Sequence, residues 1–386
     1  MTREDGREVI AKIPFRIAGP ACLTTGSEVG GISLLMWDLV KKHTNIPVPR
    51  VLSWSSDETN PVGAEYIITE KAAGVPLFQR WGEMSDFKRL ELIKNLTQLE
   101  AQFSAISFPA YGGLLFGSTI SNLGIAIAER ELSRISNKHF DGRAMFHQGG
   151  VEEQSQLLKS TMDLMHTLDS NPIVTRSARP TLWHTDLHMG NIFASPEESS
   201  RIVSLIDFQS VSVFPFFLQA QWPVFLKPRQ NFVKGLAKLA KAYEVSTYLE
   251  DRPAHNAMKL PRVFRELLIR CGEVSEVGIV PLRECLIEIS QNWSDLGFTG
   301  QCPFSFREEE INSHQRQFAE YEAWNEAQHL AQECLDTDAE GWVAPELDIK
   351  EKQRQNKELL SMYIERMAGE KSPEEAREMW PFADQV

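Results

Sequence analysis

Three side chains of this 386-residue chain stand out for the chemistry they could perform: Asp186, Asn191 and Asp207. Asp186 and Asn191 are separated by four residues within LWHTDLHMGNIFA (182–194), a loop leaving a strand-like run. Asp207 stands at the end of the next apolar run, RIVSLIDFQ (201–209). A carboxylate, an amide after four residues and a second carboxylate on a returning hairpin suit phosphoryl transfer. One carboxylate must accept a hydrogen bond from an acceptor hydroxyl and hold it in line. An oxygen-ligand pair must hold magnesium, which prefers hard oxygen donors and keeps some of its water. Asn191 and Asp207 suit that task, since the amide adds a ligand without a second buried charge. A competing reading takes His184, Asp186 and His188, which alternate, as one face of a strand carrying a hydrolytic metal. That scheme has no second histidine cluster to complete it and no use for Asn191.

The elements that must position these groups follow from periodicity. Residues 8–15 (EVIAKIPF) form a short β-rich run with Lys12 inside it. Thr25-Gly26-Ser27-Glu28 has capping-box spacing and opens a predicted helix over about 27–43, ended by the prolines Pro47 and Pro49. Two strands are predicted over 50–55 and 64–70, and Gly74-Val75-Pro76 marks a boundary. Ser85 opens a helix whose Phe87, Leu90, Ile93, Leu96, Leu99, Phe103 and Ile106 keep three-four spacing, one apolar face of a core helix. Residues 118–178 hold weaker helical patterns that periodicity does not resolve. Strand-like runs at 181–184 and 201–208 flank the loop, and helices are predicted over about 308–335 and 349–367.

HTDLHMGN followed by IDFQ resembles the aminoglycoside phosphotransferase and choline kinase-like superfamily. REVIAKIP, LTTGSEV, IPVPRVLSWSSDETNPVGAEYII, the WPF close and the acidic tail resemble its fungal branch, named for altered inheritance of mitochondria protein nine. The resemblance implies an α+β, protein-kinase-like bilobal fold: a small N-terminal β-lobe over 1–75, a larger helical lobe with the catalytic loop over 76–306, and an acidic helical extension over 307–386. It implies ATP and Mg2+ as cofactors, a hydroxyl-bearing small molecule as acceptor, and Asp186 as catalytic base with Asn191 and Asp207 as metal ligands. Lys12 would reach the α- and β-phosphates, Glu28 would pair with Lys12, and Glu70 and Ala72 would offer backbone groups to adenine. His184 would support the loop. Without the resemblance, Lys12 also reads as an edge-strand lysine, and the capping box alone accounts for Glu28. The family's glycine-rich loop would precede EVIAKIP by about two strands, and the chain begins eight residues before Val9. On that ground the β-lobe is expected to be truncated, and a catalytically impaired pseudokinase serving as a scaffold is the alternative to an active small-molecule kinase.

Composition narrows the partners. The net charge of −13 disfavours nucleic acid, whose phosphates need clustered lysine and arginine. Most of that charge sits in residues 307–386, with 9 Lys/Arg against 20 Asp/Glu. No apolar run reaches the roughly 18 residues that span a bilayer, so no membrane span is expected. Cys22, Cys271, Cys285, Cys302 and Cys334 are far apart, an odd count with no CxxC pair. A reducing, intracellular setting is expected from that pattern, cytoplasmic or, as the resemblance implies, mitochondrial. Trp222, Phe214, Phe216, Phe217 and Phe225 are expected in a core patch or a lobe contact.

Overall fold

Lys12 lies on β1, Val9–Lys12, a strand that buries Val9 and exposes the three residues after it. This strand pairs antiparallel with β3, Tyr66–Glu70, setting Lys12 against Ile67. On its other side β3 takes β2, Val51–Ser55, with a bulge between Val51 and Ser53, so the sheet order is β1-β3-β2. These are the strands the alternation predicts. The structure is a computed structural model, and it describes residues 6, 8–13, 40, 42–55, 57, 59–112, 117, 119–137, 147–208, 213–227, 234–337, 341, 348–369 and 371–383. The predicted helix over 27–43, with Glu28, lies outside the described residues apart from Val40, Lys42 and His43, which are helical.

The chain continues through β4 (Val75–Pro76), α1 (Leu77–Trp81), α2 (Asp86–Ser104), α3 (Ile120–Asn137), α4 (Val151–Leu168) and α5 (Pro172–Thr175). There follow β5 (Pro180–Leu182), β6 (Ile192–Ala194), β7 (Ile202–Leu205), β8 (Val213–Pro215) and α6 (Phe216–Gln219). Helices complete it: α7 (Lys234–Glu250), α8 (Arg252–Met258), α9 (Arg262–Cys271), α10 (Val274–Val277), α11 (Val280–Gln291), α12 (Glu308–Leu335), α13 (Ile349–Met367) and α14 (Pro373–Glu378). The fold is thus α+β, mostly helical with small antiparallel sheets. No described helix is long and apolar enough to cross a membrane.

The described chain divides into two compact units. The first comprises 1–130, 161–269 and 292–301 and holds every described candidate site residue. Its core gathers Leu92, Leu96 and Phe103 of α2 with Leu77, Leu182, Leu187, Ile192 and Leu205. Helix α2 starts where Ser85 accepts the Lys88 N–H, as predicted, but its buried face differs from the expected stripe: Phe87 is 70% exposed and Leu92 is fully buried. Phe216 and Phe217 are buried, while Trp222 and Phe225 pack half-buried against Tyr243 and Leu226. Two short sheets carry the site: β4-β6-β7, and the pair β5-β8. The expected strands at 181–184 and 201–208 are shorter, ending at Leu182 and Leu205. His184, Asp186 and His188 therefore stand in a turn-rich loop rather than on a strand face.

The second unit comprises 131–160, 270–291 and 302–386. Helices α12 and α13 begin and end where the periodicity predicts. They enclose Leu335, Leu360, Trp380 and Phe382 in a small core. Asn356, buried, accepts Trp380 Nε1–H at 2.7 Å and donates to Phe382 O at 2.9 Å, so its amide is satisfied at both ends.

Candidate functional site

The loop between β5 and β6 is built around one amide. Asn191 is 4% exposed, and its Nδ2 donates to Asp186 O at 2.9 Å and more distantly to Asp186 Oδ2 at 3.4 Å. Backbone bonds close the loop on itself, from His188 N to Asp186 O at 3.1 Å and from Asn191 N to His188 O at 3.0 Å. Because the amide nitrogen is committed to Asp186, Asn191 Oδ1 is the atom that remains as an oxygen ligand. The carbonyl of Asn191 then accepts the Ile206 N–H at 3.1 Å, which places the residue before Asp207 against the loop.

A second tie runs parallel to the first. His184, 3% exposed, donates Nε2–H to Ile206 O at 2.9 Å, and its ring meets Phe208 edge-on at 4.8 Å between centroids. Burial holds its imidazole below the usual range, with the Ile206 carbonyl and the charges of Asp186 and Asp207 opposing the shift. The ring thus ties this loop to the residue just before Asp207.

Between these ties Asp207 takes φ of 66°, in the left-handed region that costs a non-glycine residue energy unless its surroundings hold it there. The turn aims its carboxylate back towards β1, where Lys12 Nζ stands 3.7 Å from Oδ1, both side chains partly exposed. Sequence reasoning identified Asp207 but had no signal for its backbone. Aspartate is among the side chains that enter this region most readily, and that is the one cue available.

The structure brings Asp186, Asn191, Asp207 and Lys12 into one connected set. Glu70 and Ala72 follow on β3 and just beyond it. The Glu70 carboxylate accepts the Arg50 N–H at 3.2 Å and lies 3.5 Å from Arg50 Nε, so its side chain serves the sheet. Ala72 is half-buried in the segment leading to β4. Glu28 lies outside the described residues. Among the described residues no three histidines, cysteines or carboxylates stand together as a metal site. The set here is of another kind, an amide oxygen and a carboxylate, hard oxygen donors of the type magnesium takes. With a lysine beside them for phosphate oxygens, the residues present fit a magnesium nucleotide.

No family model matches the chain. It is 26% identical, over 99% of its length and 93% of the other's, to a subtelomeric hrmA-associated cluster protein of Aspergillus fumigatus. Over an alignment of 124 positions that takes in 30% of the chain and 19% of the other protein, it is 30% identical to altered inheritance of mitochondria protein 9, mitochondrial, of Candida tropicalis. Among solved structures, the streptomycin–ATP ternary complex of APH(2'')-IIa overlays with a TM-score of 0.44 at 14% identity, covering 75% of this chain and 87% of that one. The chain is similar in sequence to altered inheritance of mitochondria protein 9, and aminoglycoside phosphotransferases are among the solved structures it overlays.

Proposed function

We propose that the chain is an ATP-dependent phosphotransferase that moves the γ-phosphoryl group to a hydroxyl of a small molecule. The observation that carries this reading is the connected set of Asp186, Asn191, Asp207 and Lys12, tied by the 2.9 Å amide bond, the Ile206–Asn191 backbone bond and the 3.7 Å ion pair. Asp186 orients the acceptor hydroxyl and takes its proton as the new oxygen–phosphorus bond forms and the bond to the leaving diphosphate breaks. Asn191 Oδ1 and the Asp207 carboxylate would hold magnesium, which would supply neutralising charge for the phosphate oxygens. Lys12 would contact the α- and β-phosphates; Glu28, the partner that the resemblance implies for it, lies outside the described residues. The backbone at Glu70 and Ala72 meets adenine. In this reading the functional divisions fall near 75 and 306. The cellular setting is cytoplasmic or mitochondrial, the second supported by the mitochondrial naming of the relatives.

Calorimetry with magnesium-ATP tests the assignment. Asp207→Ala is expected to abolish binding, because it removes the metal's carboxylate, whereas Asp186→Ala is expected to bind as the wild type and lose turnover. Undiminished binding by the Asp207 variant would sink the metal assignment. An unchanged melting temperature of the wild type at millimolar magnesium-ATP would move the chain to a scaffold role.

A further inference from the structure

The two oxygens of Asp186 have different surroundings. Asn191 Nδ2 lies 3.4 Å from Oδ2, and His188 Nε2 stands 3.9 Å from the same atom. The His188 ring is held in place from below. Gly190 N–H donates to its Nδ1 at 3.0 Å, so that nitrogen keeps its lone pair. The neutral ring therefore carries its proton on Nε2, the nitrogen that faces Asp186. Gly190 makes room for this arrangement. A Cβ there would stand 2.8 Å from His188 Cε1 and 2.9 Å from Nδ1. The Gly190 backbone lies outside the left-handed region, so an added Cβ would meet the His188 ring rather than strain the backbone, and the ring would have to shift to admit it.

We propose that His188 is a positioning residue for Asp186: its Nε2–H and the Asn191 amide together hold Oδ2, and Oδ1 is thereby presented to the acceptor hydroxyl. The inference rests on the phosphotransferase reading and deepens it. The 3.9 Å separation is longer than a hydrogen bond of about 2.9 Å, so the proposal requires the ring and the carboxylate to approach by about 1 Å when substrate is bound. Fixing one oxygen selects one rotation of the carboxylate, which is the alignment an in-line transfer needs.

Substitutions at position 188 separate the donor role from loop support. A glutamine puts an amide N–H where Nε2 stands. An asparagine can replace only Nδ1 and its bond from Gly190. With magnesium-ATP as substrate and water as the acceptor, His188→Gln is expected within about threefold of wild-type hydrolysis. His188→Asn and His188→Ala are expected to fall about tenfold or more, with KM for magnesium-ATP unchanged. Gly190→Ala, which displaces the ring, is expected to match His188→Ala. Wild-type turnover in the asparagine variant, or equal loss in the glutamine and alanine variants, would overturn the proposal.

A second readout does not depend on turnover. In 15N-histidine NMR of the full chain, the resonances lost in His188→Gln are expected to show the Nε2–H tautomer and to move in Asp186→Asn. An Nδ1–H tautomer overturns the proposal even for an active kinase. A wild type with the Nε2–H tautomer that neither binds nor hydrolyses magnesium-ATP instead overturns the phosphotransferase reading, and the catalytic use of the pair falls with it.

Discussion

Glu100 is a carboxyl buried in the seam between α2 and α7, where Tyr243 OH donates to its Oε2 at 2.9 Å and its Oε1 is buried without a partner. Beside it Thr97 and Ser246 share a hydroxyl bond of 2.7 Å, and Ser104 donates to Asp251. Burial pushes the Glu100 carboxyl up to about 8; the Tyr243 bond lowers it, and the charge of Asp251 raises it further. The native state therefore holds a proton that the unfolded chain has lost above its ordinary value of 4.5. This group's contribution is fully present below about 4.5, declines as pH rises from there to about 8, and is lost above. Each pH unit in that window costs about 1.4 kcal/mol. Glu100→Gln keeps an oxygen for the Tyr243 hydroxyl and removes the titration. The stability of wild type minus that of Glu100→Gln is expected to fall by a few kcal/mol between pH 5 and pH 8, read by urea denaturation at each pH. A difference that stays flat across the window would mean that Glu100 is not the proton holder.

Among the elements, the β4-β6-β7 sheet sets where the loop of Asp186 and Asn191 ends, and Gly74 lets β4 enter it. Gly74 has φ of 90°, and a Cβ there would lie 2.4 Å from both Ala194 O and Val203 Cγ2. Gly74→Ala is expected to cost about 3 kcal/mol or more, since backbone and side chain must both give way. Gly82 makes the contrast, with an ordinary helical φ of −64° and nothing within 4 Å of an added Cβ. Gly82→Ala is expected to be neutral or stabilising by about 0.5 kcal/mol. Equal denaturation midpoints for the two variants would refute the packing argument. Elements with strong caps and long periods were legible: α2 from Ser85, α12 and α13 throughout, and β1 to β3. Strand β6 was not, because three residues carry no period and its partner β4 has only two, more than a hundred positions away. Helices α3 and α4 were obscured because their buried faces include polar side chains: Ser121 and Glu131 on α3, Gln154 and Thr161 on α4. Close approach also hides them, since Gly124 sits where a Cβ would be 2.4 Å from Met165 Sδ. In the candidate site, residue types and spacing singled out Asp186, Asn191 and Asp207, which the fold joins through the Asn191–Asp186 and Ile206–Asn191 bonds. The left-handed turn at Asp207 and the seat of the His188 ring over Gly190 depend on tertiary packing and left no mark in the spacing.

At the scale of the whole molecule, every described candidate site residue belongs to the first unit, while the Trp380–Phe382 core and the acidic helices belong to the second. Ligand that binds only the native state stabilises by RT ln(1 + [L]/Kd), about 2.7 kcal/mol at a hundredfold excess over Kd. That free energy is expressed first in the segments the ligand contacts, since local opening of other segments does not release it. Amide hydrogen exchange can therefore distinguish a nucleotide site in the first unit from unspecific binding. On adding magnesium-ATP, slowed exchange is expected in 9–12, 66–72, 186–194 and 202–207. Exchange in 349–367 and 373–383, held by the Asn356 bonds and the small apolar core, is expected to stay as it was. Asp207→Ala is expected to erase the slowing in the first set without altering the second. Slowing confined to the C-terminal helices would place the nucleotide elsewhere, and with it the phosphoryl chemistry assigned to the loop.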